Sequence, residues 1–215
     1  RRRQGFAFAG FHFRQLPAAE LAKVTCAQAL AHPTWDMGPK VTLDSATLMN
    51  KALELIEARW LFNIPVDKLD VIIHPQSIIH SIVEFVDGSM LAQLGNPDMR
   101  IPIQYALTYP ERRATGIPRC DLGTLASLEL EKPDNQRFPA LDLAKQALRA
   151  GGTMATVLNA ANEVAVERFR AGEIPFPRIW GLVAAAMAEH QTLPQENLEN
   201  ILAADQWARR ITSQL

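Results

Sequence analysis

The sequence predicts an α+β chain: a helix-backed, mixed or antiparallel sheet domain followed by a C-terminal helical bundle. Three observations predict it. One long helical pattern runs from Ala46 to Phe62. Alternating segments flank the hairpin signal Asp87-Gly88. Beyond Phe138 the periodicity is helical to the end of the chain. Helix and sheet segregated along the sequence in this way favour layered α+β packing.

In chain order, Val41-Thr42-Leu43 is short and β-prone. Asp44 and Ser45 offer N-cap oxygens for the helix that follows, and Asn63 and Pro65 end that helix. Asp70 to His74 reads as a buried strand, Ser77 to Phe85 alternates, and Ser89 to Leu94 returns after the turn. Residues 116–135 carry Pro118, Gly123 and Pro133 and read as a linker. The bundle helices are then Phe138 to Ala150, Thr153 to Arg170, Pro177 to His190 and Gln195 to Gln214. Pro139 lies in the first turn of the first, and Gly151-Gly152 and Gly172 supply stops. The expected division is an anomalous head over 1–12, a partial catalytic domain over 13–115, the linker, and a bundle over 136–215.

Hydrophobic residues make up 48% of the 215, enough for a full core. Lys+Arg 22 against Asp+Glu 23 gives a net charge of -1, which argues against a nucleic-acid partner. No apolar run approaches the length of a membrane span. Cys26 and Cys120 are far apart and form no CxxC, so a reducing, cytoplasmic setting is expected. The head begins Arg1-Arg2-Arg3, has no acid before Glu20, and holds a short aromatic run from Phe6 to Phe11. His12 and Arg14 follow too soon for a signal peptide. The head reads as the start of a piece cut from something longer.

The chemistry concentrates in the segment from Asp44 to Glu57. On one helix, Thr47, Asn50, Lys51 and Glu54 share a face, while Leu48, Met49, Ala52, Leu53, Leu55 and Ile56 make the remainder apolar. A narrow polar stripe on a buried helix must be paired or face a cavity, because unpaired buried polar groups are costly. Lys51 supplies positive charge, and Asn50 and Ser45 supply neutral donors. Ser45, read at the helix start, would sit where free N–H groups favour phosphate. Glu54 is a hard oxygen ligand suited to Mg²⁺ or Mn²⁺. The alternative reading of the stripe is a capped helix with an ordinary Lys51–Glu54 pair.

His32-Pro33-Thr34-Trp35-Asp36-Met37-Gly38 suits a ligand-covering lid, or a loop whose Trp35 plugs the core. His74 and His80 lack metal-helix spacing and read as hydrogen-bonded core histidines. The loop from Leu94 to Arg100 has weak ligand-contact potential. Asn159, Asn162 and Glu163 share a helix face and read as ties to a neighbouring part of the fold. The chain holds no GxGxxG and no P-loop.

HPTWDMG, VTLDSATLMNKALELIEARWLF, IHPQSIIHSIVEFVDGSMLAQLGNPDMR and LNAANEVAV, in this order, resemble the 1-deoxy-D-xylulose 5-phosphate reductoisomerase family from about Phe13 onward. The resemblance implies isomerisation and NADPH-dependent reduction of 1-deoxy-D-xylulose 5-phosphate to 2-C-methyl-D-erythritol 4-phosphate, for isoprenoid precursors. It implies a divalent metal (Mg, Mn or Co), NADPH, a small phosphorylated sugar substrate, and a homodimer in the full-length family. By match to the family's motifs, His32, Ser45, Asn50, Lys51 and Glu54 are substrate-binding, with Lys51 and Glu54 as catalytic residues. Glu54 is also the metal ligand, Trp35 and Met37 belong to the lid, and Gly38 is an NADPH contact.

The departures from the family matter. Its dinucleotide-binding domain and its acid-Ser-acid metal segment have no counterpart in this sequence. Ala9 stands where the family has a phosphate-binding serine. A fragment inactive alone is therefore expected, and a non-catalytic phosphate-binding or dimerising remnant is the competing reading.

Overall fold

A computed structural model describes residues 2–9 by their backbone, and residues 13–31 and 37–215 in full. His32 and Trp35 of the expected site lie outside the described residues.

The sheet has four strands: β1 (Arg2–Ala9), β2 (Leu69–Ile73), β3 (Ile79–Phe85) and β4 (Met90–Leu94). Their order is β2-β1-β3-β4. β1 runs parallel to β2, with Ala7 opposite Val71, and antiparallel to β3, with Ala7 opposite Ser81. β3 and β4 form the hairpin expected around Asp87-Gly88, so the sheet is mixed. No strand is expected in the head, which reads as anomalous; β1 corrects this. Pairing on both sides supplies what propensity lacks.

The helices before the bundle are α1 (Ala18–Leu21), α2 (Cys26–Leu30), α3 (Pro39–Ala46), α4 (Met49–Phe62) and α5 (Arg100–Thr108). Two expectations are corrected here. Val41-Thr42-Leu43 is helical, inside α3, because Pro39 follows the extended Gly38 and presets the first turn. The helix expected from Ala46 is two helices broken at Thr47-Leu48, where Leu48 takes φ 62 and ψ 6. Asp44 and Ser45 therefore close α3 and do not cap α4. The short α1, α2 and α5 carry too few periodic residues to be read in advance. Thr25 and Gln28 nonetheless close a capping box around α2, at 3.3 and 2.9 Å.

The bundle is α6 (Ala140–Ala150), α7 (Met154–Arg170), α8 (Arg178–Glu189) and α9 (Leu198–Gln214), each within a few residues of its expected span. No strand follows Phe138 among the described residues. Buried Ala160, Ala161 and Ala165 keep the surface of α7 small, so its neighbours approach closely. Phe176, fully buried, stacks edge-to-face with Phe13, Phe169 and Trp180 at centroid distances of 5.4, 5.5 and 5.5 Å.

Sheet, site helices and bundle share one hydrophobic core. Leu43, Leu48, Met49 and Leu55 from α3 and α4 are buried in one cluster with Leu141, Leu158 and Leu182 of the bundle. Each such side chain contributes about 1.5–3 kcal/mol of apolar burial. The 116–135 segment is pinned as well. Ile73 and Glu131 exchange two backbone hydrogen bonds of 2.9 Å at the end of β2. Arg137 donates to the backbone carbonyls of Arg14, at 2.6 Å, and of Leu16.

Candidate functional site

The break at Thr47-Leu48 fixes where α4 begins. The Thr47 hydroxyl donates to the carbonyls of Leu43 (3.0 Å) and Asp44 (3.2 Å), satisfying the end of α3. Its oxygen lies 3.4 Å from the Met49 N–H, the first residue of α4. Leu48 is buried in the left-handed conformation, which a branched residue adopts only when its surroundings impose it.

One turn on, three side chains meet. Lys51 Nζ lies 2.6 Å from Glu54 Oε1, and Asn50 Nδ2 donates to the same oxygen at 3.3 Å. The Lys51 side chain is 17% exposed and that of Glu54 37%, so the pair is half-sheltered. Glu54 also lines a cleft of about 550 Å³ between α4 and the sheet, together with Glu57, Leu61, Asp70 and His80.

Ser45 is half-buried on the last turn of α3, which corrects its expected place at a helix N-terminus. The reason is the broken helix: the free N–H groups of α4 belong to residues after Leu48. Gly38 is the exposed, extended residue before α3, and its carbonyl accepts from the Thr42 N–H and hydroxyl, each at 3.1 Å. Among the described residues, nothing lies within 4 Å of a Cβ built at Gly38. Met37 is half-buried beside it. His74 is buried, with Nδ1 2.8 Å from the Glu129 carbonyl oxygen, and His80 Nε2 lies 3.0 Å from that of Gly95. His74 matches the core-histidine reading, whereas His80 is half-buried and lines the cleft.

A polar cluster that the sequence reading left unassembled lies behind the break. Asp44, 2% exposed, accepts from Asn162 Nδ2 of α7 at 2.8 Å, and its other oxygen takes Lys40 Nζ. Burial pushes the Asp44 carboxyl above its ordinary range, against the lowering effect of Lys40 and Asn162. Asn159 and Glu163 on the same face bond each other at 3.1 Å, and Glu163 also takes Arg209 at 2.7 Å.

Among the described residues, no three His, Cys, Asp or Glu side chains are grouped so as to hold a metal ion. Glu54 is a single hard ligand, which fits part of a divalent site and not a complete one. No helix among the described residues is long and apolar enough to cross a membrane.

Fold and site define an α+β protein whose mixed sheet and helical bundle flank one helix bearing a sheltered Lys–Asn–Glu cluster. Comparison with known proteins narrows this class. Residues 94–211 match the family described as DXP reductoisomerase C-terminal domain, and residues 6–62 match the 1-deoxy-D-xylulose 5-phosphate reductoisomerase C-terminal domain. The reductoisomerase of Acidithiobacillus ferrooxidans is 56% identical over 202 residues, covering 94% of this chain and 52% of that protein. The one from Moorella thermoacetica is 57% identical over 201 residues, with the same coverage. A crystal structure of DOX-P reductoisomerase in complex with NADPH, fosmidomycin and magnesium superposes with TM-score 0.93 at 40% identity, over 99% of this chain and 55% of that one. The Zymomonas mobilis enzyme in complex with NADPH gives 0.92 at 42% identity, again over 99% and 55%.

The chain belongs to the 1-deoxy-D-xylulose 5-phosphate reductoisomerase family and corresponds to its C-terminal region. It spans about half the length of the curated relatives it matches.

Proposed function

We propose that this chain is the substrate-binding half of a 1-deoxy-D-xylulose 5-phosphate reductoisomerase and does not by itself complete the reaction. The observation that carries the reading is the Lys51–Asn50–Glu54 cluster on α4, on the segment where the family motif and the sheltered polar face coincide.

In this reading Lys51 and Asn50 turn their donors from Glu54 to oxygens of the phosphorylated substrate. A charge-assisted contact of this kind contributes about 1.5–3 kcal/mol. Glu54 keeps its lone pairs for whichever cation is present, Lys51 or a divalent metal. Bound there, a metal would polarise the substrate's oxygens. Glu57 and Asp70 line the same cleft, but among the described residues no three such side chains are grouped around a metal position, so a complete site needs further ligands. By family match, Ser45 on α3 and His32 complete the substrate side of the proposed site, and Trp35 and Met37 belong to its lid. Gly38 is the proposed NADPH contact, but one glycine cannot position a dinucleotide. The exposed β4 and α5, with Met90, Leu91, Met99, Ile103 and Leu107, form the apolar face available for a homodimer. The proposed division at 116–135 rests on the change from mixed to all-helical structure; the head is not separate from the sheet portion, since residues 2–9 form its strand β1.

The competing reading is a non-catalytic phosphate-binding or dimerising remnant, favoured by the lack of a three-ligand metal cluster among the described residues. A chimera separates the two. Residues 2–215, which keep β1, are placed behind the N-terminal portion of the Acidithiobacillus ferrooxidans relative and assayed with 1-deoxy-D-xylulose 5-phosphate, NADPH and Mn²⁺. Substrate-dependent NADPH oxidation is expected from the chimera and none from the 215-residue chain alone. A folded chimera without turnover would favour the remnant.

A further inference from the structure

The Asp44–Asn162 contact joins residues 118 apart in sequence, and both side chains are buried, at 2% and 0% exposure. A carboxylate removed from water is a costly way to join two helices, and apolar residues of similar size usually do it at least as well. Its value lies in direction, because a hydrogen-bonded pair fixes one geometry where apolar packing tolerates several.

Three features show what is being directed. Asp44 is held through both its side chain and its backbone: Asn162 and Lys40 take the carboxylate, and the Thr47 hydroxyl takes the carbonyl at 3.2 Å. Thr47 is fully buried and precedes Leu48, whose left-handed backbone turns the chain from α3 into α4. Glu163, the other acid facing this cluster from α7, is occupied by Arg209 and Asn159, so its charge is balanced locally.

We propose that Asp44 and Asn162 are positioning residues: through them the bundle helix α7 sets the α3–α4 break, and so the direction in which Asn50, Lys51 and Glu54 project. This rests on the substrate-site reading of α4. It gives the helical bundle a part in ligand binding, although it contributes no side chain to the Lys51–Asn50–Glu54 cluster.

The test uses the 215-residue chain with Asn162→Leu, which removes the donor, and Asp44→Asn, which keeps an acceptor for Asn162. Amide hydrogen exchange is read at residues 48–52, with Val157 and Leu158 reporting global opening. Inorganic phosphate binding is followed at the Asn50 and Lys51 amides by NMR. For Asn162→Leu we expect exchange at 48–52 to accelerate at least tenfold beyond that at Val157 and Leu158. Phosphate binding should weaken at least threefold. Asp44→Asn should stay within twofold of wild type on both. If Asn162→Leu does not fold, Asn162→Ser, too short to reach Asp44, is read in the same way. Exchange at 48–52 that changes only in step with the α7 amides would overturn the proposal. A wild-type chain that shows no phosphate response would instead count against the substrate-site reading, and the exchange data would still judge the clamp.

Discussion

Lys51 Nζ and Asn50 Nδ2 converge on one oxygen of Glu54, at 2.6 and 3.3 Å, so the cation and carboxylate of the proposed site neutralise each other. The two ends of this pair should fail differently when removed. In the chimera, Lys51→Ala should mainly raise KM. It loses a charge-assisted contact of about 1.5–3 kcal/mol, roughly a ten- to hundredfold effect. Glu54→Gln should mainly lower kcat, because it removes the proposed metal ligand. Steady-state kinetics of the two variants check this. Equal, small effects on both parameters would reverse the assignment.

The buried Asp44 sets a pH dependence of stability. Its carboxyl is raised above the ordinary 3.8, chiefly by burial, so the folded chain binds this proton more tightly than the unfolded one. The contribution is therefore fully present below the unfolded value and is lost as pH rises through the raised folded value. Asp44→Asn should remove this slope. At neutral pH it should be neutral or stabilising by about 1 kcal/mol, since Lys40 is exposed enough to find water. Urea melts between pH 4 and 7 measure it. A neutral-pH loss of several kcal/mol would show that the ionised carboxylate itself stabilises the fold.

Gly152 joins α6 to α7 with φ 48, and a Cβ there would lie 2.3 Å from the Leu193 carbonyl oxygen. That carbonyl accepts the Thr153 N–H at 3.0 Å, and the Leu193 N–H donates to the Thr153 hydroxyl at 3.1 Å. Gly152→Ala must push the α8–α9 connection away and adopt an unfavourable backbone. A loss of about 2–4 kcal/mol is expected in a denaturant melt. Gly172→Ala, where the backbone is also left-handed but nothing lies within 4 Å, should cost less.

The bundle was legible because its signals are local: apolar periodicity, Pro139 at a first turn, and Gly151-Gly152 and Gly172 at the stops. The strands β2 to β4 were legible from alternation and the Asp87-Gly88 turn. β1 was not, since it is held by partners some 60 to 80 residues away and its short Phe6–Phe8 alternation follows an Arg-rich start and Gly5. The α3–α4 break was invisible for a related reason. Leu48 carries no sign of a left-handed backbone, and the buried ties around Thr47 and Asp44 produce it. Within the site, the spacing that placed Asn50, Lys51 and Glu54 on one face survived the break, because all three lie beyond it. Asp44 was misread as a cap for the opposite reason. Its partner Asn162 lies on another helix, and no local pattern announces a contact across 118 positions.

The most direct test of the α4 site is a titration of the purified 215-residue chain with 1-deoxy-D-xylulose 5-phosphate, followed by NMR at the backbone amides. Saturable shifts centred on Asn50, Lys51 and Glu54 are expected, weakened about tenfold or more by Lys51→Ala in a protein that remains folded. Shifts that are absent, or that persist unchanged in Lys51→Ala, would contradict the claim that this helix carries the substrate site.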